Sequence, residues 1–442
     1  MKPKCLFIIL FIPSVLSLFS QTSFAEGKLA LPEIVFTPLS VGSGARALGM
    51  GGAFIAVADD ATAASWNPGG LTQLEKPEFS LVGTYLSTHQ GIDTSNNTLL
   101  FDNETISRGD LNFASIAFPF RVFGKNMVAA LGYQQVYDFH NSVEVDKISK
   151  GSVSQGSYIN QKVDFESKGG ISALTPAIAI QVMPRLSIGV AVNFYTDEYF
   201  DDFAWKQKSI EKSNIILPNK VVTETTAFER TFKNFQAINV VPGILWDVWE
   251  KEDKRLTFGA VYHMPYTADV DTVTGHTKLN KPEKDQLKID FPMSFGAGIG
   301  FRYSDALSIS MDVTWTDWSK FKQNSEETIG KTRPLGGVST DRNINDTYAV
   351  RLGTEYLIFR QKMIIPVRGG LFYDPRPSLD DSADVYGFGV GSGITFKGFS
   401  IDGAYQCRWV NNINGEDFDS AYSDTKFDLK EHLFYASIIV YF

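Results

Sequence analysis

From Leu307 to Trp315 every second side chain is large and apolar, namely Leu307, Ile309, Met311, Val313 and Trp315. The residues between them are Ser308, Ser310, Asp312 and Thr314. A β-strand sends successive side chains to opposite faces, so this segment is predicted to be a strand with one apolar and one polar surface. The alternation recurs where Leu186, Ile188, Val190, Val192 and Phe194 oppose Ser187, Gly189, Ala191 and Asn193. It recurs again where Ile401, Tyr405, Cys407 and Trp409 oppose Asp402, Ala404, Gln406 and Arg408. Beyond residue 25 no stretch approaches the roughly 18 uncharged apolar residues that a spanning helix needs. The chain is therefore either soluble or a barrel that crosses a membrane with strands. A soluble β-sandwich alternates too, with its apolar face inward, so periodicity alone does not choose.

Connection lengths choose. Fourteen candidate strands run near 78 to 90, 107 to 120, 126 to 140, 160 to 183, 185 to 200, 230 to 248, 255 to 269, 285 to 303, 306 to 318, 344 to 359, 362 to 374, 384 to 396, 398 to 410 and 429 to 442. Tight connections, such as Arg121 to Lys125, Ser304-Asp305 and Arg360-Gln361, alternate with long polar ones at 91 to 106, 141 to 159, 201 to 229, 270 to 284, 319 to 343, 375 to 383 and 411 to 428. An even number of strands with short turns at one end and long loops at the other is the pattern of an outer-membrane barrel. The last segment presents Phe434, Ala436, Ile438, Val440 and a terminal Phe442 on one face, similar to the terminal strands of outer-membrane proteins; an ordinary buried last strand is the alternative. Phe120, Phe123, Trp246, Trp249, Trp318 and Trp409, near predicted strand ends, suit interfacial girdles.

The first 25 residues fit export. Lys2 and Lys4 precede an apolar stretch from Cys5 to Phe19, and Ser23-Phe24-Ala25 is a small-residue cleavage site, so a signal peptide ending at Ala25 is expected. Cys407 is then the single thiol of the mature chain, which excludes an intrachain disulfide and a cysteine zinc site. The formal charge is −9, before the loss of two lysines with the leader. With no block of basic residues, this excludes nucleic acid as a partner.

Residues 26 to 77 lack alternation and are rich in Gly and Ala, which suits close packing in a confined space. A plug inside a barrel of residues 78 to 442 is expected, with a periplasmic extension as the alternative. Gly44-Ala45-Arg46-Ala47-Leu48-Gly49-Met50-Gly51-Gly52-Ala53, Val57-Ala58-Asp59-Asp60-Ala61 and Trp66-Asn67-Pro68-Gly69-Gly70-Leu71 together resemble the N-terminal hatch of the FadL/TodX family of outer-membrane transporters. Asp312 to Phe321 and Pro366 to Pro377 are similar to segments of that family's barrel. The family commonly has Asn-Pro-Ala where this chain has Asn67-Pro68-Gly69. The resemblance implies an all-β transmembrane antiparallel barrel of fourteen strands, its lumen plugged by a hatch to which Arg46, Asp59, Asp60, Asn67, Pro68 and Gly69 belong. It implies passive transport of long-chain fatty acids or other hydrophobic small molecules, a setting of outer-membrane lipid and lipopolysaccharide, and a monomer. Exit through a lateral opening in the wall is a further family feature. A related group of hatch-bearing barrels shares the motif, so a secretion-system or structural envelope component is the alternative function.

Strand phase supplies the remaining candidates. If Val367 and Leu371 face lipid, Arg368 faces the lumen, and the same argument turns Arg302, Arg351 and Arg408 inward, where they could hold an acidic head group. Their alternative role is pairing with the lumen carboxylates Asp312, Glu355, Asp374 and Asp402. Gly169-Gly170 and Gly369-Gly370 mark bulges or breaks. No G-x-S-x-G or H-E-x-x-H accompanies the five scattered histidines, so an enzyme is not expected, and His263, in a predicted strand, reads as structural. Gly42-x-Gly44-x-x-Ala47 follows no hydrophobic strand and is not a dinucleotide fingerprint. The acidic stretches Asp380 to Asp384 and Glu416 to Asp419 lack calcium-loop spacing, and no cofactor or metal is called for.

Overall fold

The computed structural model describes residues 42–94, 99–101, 105–150, 158–197, 203–217, 220–277, 281–325, 345–375, 384–414 and 425–442. The expected signal peptide, residues 26–41 and the acidic stretches at 380–383 and 416–419 lie outside them. The first ten strands are β1 (Glu78–Thr94), β2 (Leu99–Phe101), β3 (Thr105–Val122), β4 (Lys125–Asp138), β5 (Asn141–Lys150), β6 (Tyr158–Met183), β7 (Leu186–Asp197), β8 (Trp205–Leu217), β9 (Lys220–Lys251) and β10 (Lys254–His263). The second ten are β11 (Tyr266–His276), β12 (Glu283–Phe291), β13 (Ser294–Arg302), β14 (Leu307–Thr316), β15 (Lys322–Ser325), β16 (Thr347–Phe359), β17 (Ile364–Tyr373), β18 (Tyr386–Thr395), β19 (Phe399–Asn414) and β20 (Thr425–Tyr441).

Fourteen of these close a ring. β1, β3, β4, β6, β7, β9, β10, β13, β14 and β16 to β20 each pair antiparallel with the next, and β20 returns to β1 with Glu78 opposite Tyr441 and Leu81 opposite Ile438. Closure removes every strand edge, the condition for a sheet to cross hydrocarbon. The wall's exposure is inverted relative to a soluble protein. Ile299, Leu352 and Leu371 are 54%, 48% and 62% exposed on the outside, whereas Ser310, Asp312 and Gln406 are buried inside. That inversion excludes the sandwich. One rim carries the tight turns: Val122 to Lys125 turns on Phe123 and Gly124, both at positive φ, as a two-residue hairpin loop requires. Phe123, Trp246 and Trp249 are exposed near these turns, where an interfacial girdle belongs. Trp318 is not part of one; it is buried in an aromatic cluster described below.

The opposite end differs from the sequence reading. Most of the long polar connections contain strands, and these form a second antiparallel sheet in the order β2, β5, β6, β8, β9, β11, β12, β15. The predicted strands at 255 to 269 and 285 to 303 each break in two: β10 and β13 stay in the wall while β11 and β12 rise into this sheet. β6 and β9 run through both sheets. β6 changes sheets at Gly169, whose φ is 111°, and β9 at Asn234, whose φ is 56°. A Cβ at Gly169 would lie 2.4 Å from the Ala204 carbonyl oxygen, so the crossing needs glycine for space as well as for angle.

Inside the ring, the chain from Gly42 folds as α1 (Ala45–Gly49), α2 (Ala63–Trp66) and a 3-10 turn over Pro68–Gln73. It lies against the inward faces of all fourteen wall strands: α1 against β17 to β20, Ile55 against β10 and β13, the 3-10 turn against β4, β6, β7 and β9, and the remaining strands through hydrogen bonds or glycine contacts.

Candidate functional site

The N-terminal segment reaches the wall because the wall lacks side chains where the two backbones meet. A Cβ at Gly243 would lie 2.2 Å from Asn67 Oδ1, and one at Gly370 2.2 Å from the Met50 carbonyl carbon. Asn67, fully buried, then satisfies both sides. Its Nδ2 donates to the carbonyls of Ile55 at 2.8 Å and Ile244 at 2.9 Å, and its Oδ1 accepts from Gly69 N at 3.1 Å, opening the 3-10 turn with Pro68 in first position. A Cβ at Gly69 would come within 2.9 Å of Leu245 N, which accounts for glycine in place of the alanine common in Asn-Pro-Ala. Asp312, offered above as an arginine partner, instead accepts the Phe54 and Ile55 N–H groups at 2.6 and 2.8 Å.

A chain of ion pairs ties the same segment to the wall. Arg46 donates to Glu355 through Nε at 3.0 Å and Nη2 at 2.9 Å, and also pairs with Asp59; Asp60 stands 4.0 Å away. Asp60 itself accepts from Thr62 N at 2.9 Å, and burial pushes its carboxyl up. Glu355 Oε2, which accepts from Arg46 Nε, also accepts from Arg368 Nε at 2.6 Å, and Arg368 Nη1 reaches Asp402 at 2.5 Å. Arg368 and Glu355 are buried, so each charge depends on its partners.

Above the segment, toward the second sheet, lies a chamber of about 260 Å³. Ser43, Gly52 and Trp66 form its floor, and Gln134, Asn193 and Asn239 a polar strip on one side. Gln134 Nε2 donates to Asn193 Oδ1 at 3.0 Å, so this strip satisfies itself. The roof is aromatic: Tyr266 stacks between Tyr195 at 4.8 Å and Phe291 at 4.7 Å, with Tyr137 and Trp318 beside them, at the place where β9 leaves the wall and β11 begins. Tyr266 and Phe291 fall within the predicted strands at 255 to 269 and 285 to 303, but no sequence signal shows that these rings converge, because nothing in it marks the point where each predicted strand breaks and β11 and β12 enter a second sheet.

The four arginines separate. Arg351 and Arg408 line the chamber; Arg351 donates to Asp374 at 2.8 Å, and Arg408 donates to the neutral Gln406 at 2.9 Å, stands 4.0 Å from the Glu431 carboxylate and lies over the Phe372 ring. Arg368 sits in the ion-pair chain. Arg302 borders a smaller cavity of about 120 Å³ on the far side of the segment, near the tight turns, together with Arg46, Asp59 and Glu355.

Residues 34–423 match the family model for the outer membrane protein transport protein (OMPP1/FadL/TodX). The fold is similar to a FadL homologue of Pseudomonas aeruginosa, at 13% identity over 92% of this chain and 100% of that one, with a TM-score of 0.61. It is also similar to the toluene transporter TodX of Pseudomonas putida, at 12% identity over 92% and 100% with a TM-score of 0.56. The toluene transporter TbuX of Ralstonia pickettii matches at 16% identity over 91% and 98%, with a TM-score of 0.51. No curated protein matches the chain in sequence. With a closed fourteen-stranded wall, an apolar outer surface and a family match over most of its length, the chain belongs to the FadL/TodX family of outer-membrane transporters of hydrophobic compounds, which are channels and not enzymes.

Proposed function

We propose that this chain takes small hydrophobic molecules from the cell exterior into the chamber and releases them inward without energy input, with residues 26–77 acting as the hatch. The observation that carries this reading is the chamber itself, bounded by an aromatic roof and by a segment in contact with every wall strand. Lipopolysaccharide and the water-filled pore of a general porin both oppose an apolar solute. A chamber with aromatic walls removes that solute's surface from water at roughly 25 cal/mol per Å². Release then requires the floor to shift, which opens a path toward the second cavity and strains the Arg46 pairs with Glu355 and Asp59. A cavity of about 150 Å³ is enough to bind benzene, so one aromatic ring fits with room to spare. A long-chain fatty acid fits only if its chain extends beyond the chamber. Arg351 and Arg408 are the head-group contacts for an acidic cargo in this reading, and Arg302 serves the exit. Outer-membrane lipid and lipopolysaccharide cover the apolar band of a monomer.

The test is uptake. Cells that assemble outer-membrane barrels but have lost their own proteins of this family are given the full-length gene, then radiolabelled toluene and a radiolabelled long-chain fatty acid. Restored uptake of either supports transport. Restoration of neither, with the barrel folded in the outer membrane and co-purifying with another envelope protein, points to a secretion or structural role.

A further inference from the structure

The polar groups of the chamber are not equally provided for. Asn193 and Gln134 bond each other, Asn239 donates to the Met264 carbonyl, Trp318 Nε1 donates to Thr347 at 2.9 Å and Arg351 is paired with Asp374. Among the described residues His263 has no such partner, and the only other chamber side chains of which this holds are small hydroxyls such as those of Ser294, Thr314 and Thr316. His263 closes β10 in phase with Gly259 and Val261, both of which face inward, so its ring projects into the lumen opposite Ser294 and lines the chamber beside Tyr266 and Phe291. No hydrogen bond or ion pair to either ring nitrogen exists among the described residues. The ring is nevertheless not sealed in the protein, since neither nitrogen is among the fully buried unpartnered atoms. A neutral imidazole offers one donor and one acceptor, and here the ring carrying them borders the chamber.

Resting on the transport reading above, we infer that His263 is a specificity residue and that the chamber selects small aromatic molecules carrying one hydrogen-bonding substituent, of the phenol type, over pure hydrocarbons of the same shape. The stacked rings of Tyr195, Tyr266 and Phe291 supply an apolar surface for an aromatic ring. Such a surface cannot tell a hydroxyl from a methyl. His263 can: a hydrocarbon strips water from the imidazole and returns nothing, whereas a phenol replaces that water with its own hydroxyl. A binding site that hydrogen-bonds a substrate group discriminates against the analogue lacking it far more strongly than an apolar pocket discriminates by size.

The experiment compares 4-methylphenol with para-xylene, which differ by a hydroxyl in place of a methyl, by equilibrium dialysis of the detergent-solubilised full-length protein. Each compound's own hydration cancels when the ratio of the two affinities is followed across variants. His263→Leu is expected to lower the preference for 4-methylphenol roughly tenfold, while His263→Gln, which keeps a donor and an acceptor, stays within about threefold of wild type. Retention of the heat-modifiable electrophoretic shift verifies that each variant is folded, and if the leucine variant is not, the glutamine variant and a His263→Asn variant carry the comparison. Both compounds binding with a ratio changed less than twofold by His263→Leu overturns the assignment and leaves hydrophobic transport standing. Binding of neither compound by the folded wild-type protein overturns both.

Discussion

Glu355 holds two arginines at once, one from the wall and one from the N-terminal segment, and each of its oxygens is used. Losing its charge leaves Arg46 with Asp59 and Arg368 with Asp402, so the loss is partial, at the low end of the 3–5 kcal/mol typical of breaking a buried pair. Glu355→Gln should therefore lower by several degrees the temperature at which the folded band converts to the unfolded band in electrophoresis; an unchanged transition would show that the pairs contribute nothing net. The arginines make a second, sharper prediction. Arg368 is enclosed by Glu355 and Asp402, so Arg368→Ala should reduce uptake of a fatty acid and of a neutral hydrocarbon alike, by weakening the wall. Arg408, hydrogen-bonded to the uncharged Gln406 and 4.0 Å from the Glu431 carboxylate, is less tightly paired than Arg368 and faces the chamber, and Arg408→Ala should reduce fatty-acid uptake severalfold more than hydrocarbon uptake. Competition assays with paired labels measure both. Phase along a strand gave the inward direction of all four arginines, because lipid on the other face fixes it. What phase cannot give is partners, and Arg46 and Glu355 stand 309 residues apart.

At the level of elements, β6 and β9 do what no hairpin strand does, passing from the barrel wall into a second sheet without interruption. The change of direction falls on two left-handed residues. Asn234 is anchored as it turns: its N–H donates to Asp197 at 2.9 Å and its side chain to Asp271 at 2.8 Å. A β-branched residue at positive φ costs about 1–2 kcal/mol, so Asn234→Val should loosen the second sheet, whereas Asn234→Gly keeps the backbone angle and loses the side-chain bond. Gly169→Ala should be worse than either, since angle and space both forbid it. Limited proteolysis within 205–233 reads the effect: faster cleavage in the valine and alanine variants with an intact barrel band is expected, and equal cleavage in all would detach these residues from the second sheet's stability. The fourteen wall strands were legible because membrane hydrocarbon enforces one apolar face, as in Leu307 to Trp315. The second sheet was legible only in part: its stretch of β6 and most of β12 fell inside predicted strands, though assigned to the wall, whereas β5, β8 and most of β11 fell in predicted long connections. Lys220 to Glu229, in one of those connections, carries Glu and Thr on both faces, and with both faces polar the period-two signal vanishes even though Val221, Val222 and the threonines favour extended backbone.

For the whole molecule the question is what separates the two cavities, since among the described residues the chain from Gly42 to Leu74 lies between the chamber of about 260 Å³ and the cavity of about 120 Å³. Its grip on the wall has two parts. Glycines admit it to contact distance, and Asn67, Asp312 and Glu355 then fix it by hydrogen bonds and charge. In the proposed hatch, contact at fourteen strands is expected to hold back ions, and the small number of specific bonds to let the barrier move. If this is the right division of labour, the full-length protein in a planar bilayer should conduct little, and removal of residues 42–74 should open a steady ion current. A bulky side chain at one contact should lie between these limits: Gly370→Val drives a side chain into the Met50 backbone and should produce intermittent openings in a barrel that still assembles. An open, steady current through the intact protein would mean that the segment does not seal the lumen. The chain would then be a porin with an internal strand-lined constriction, and selection by the chamber would lose its physical basis.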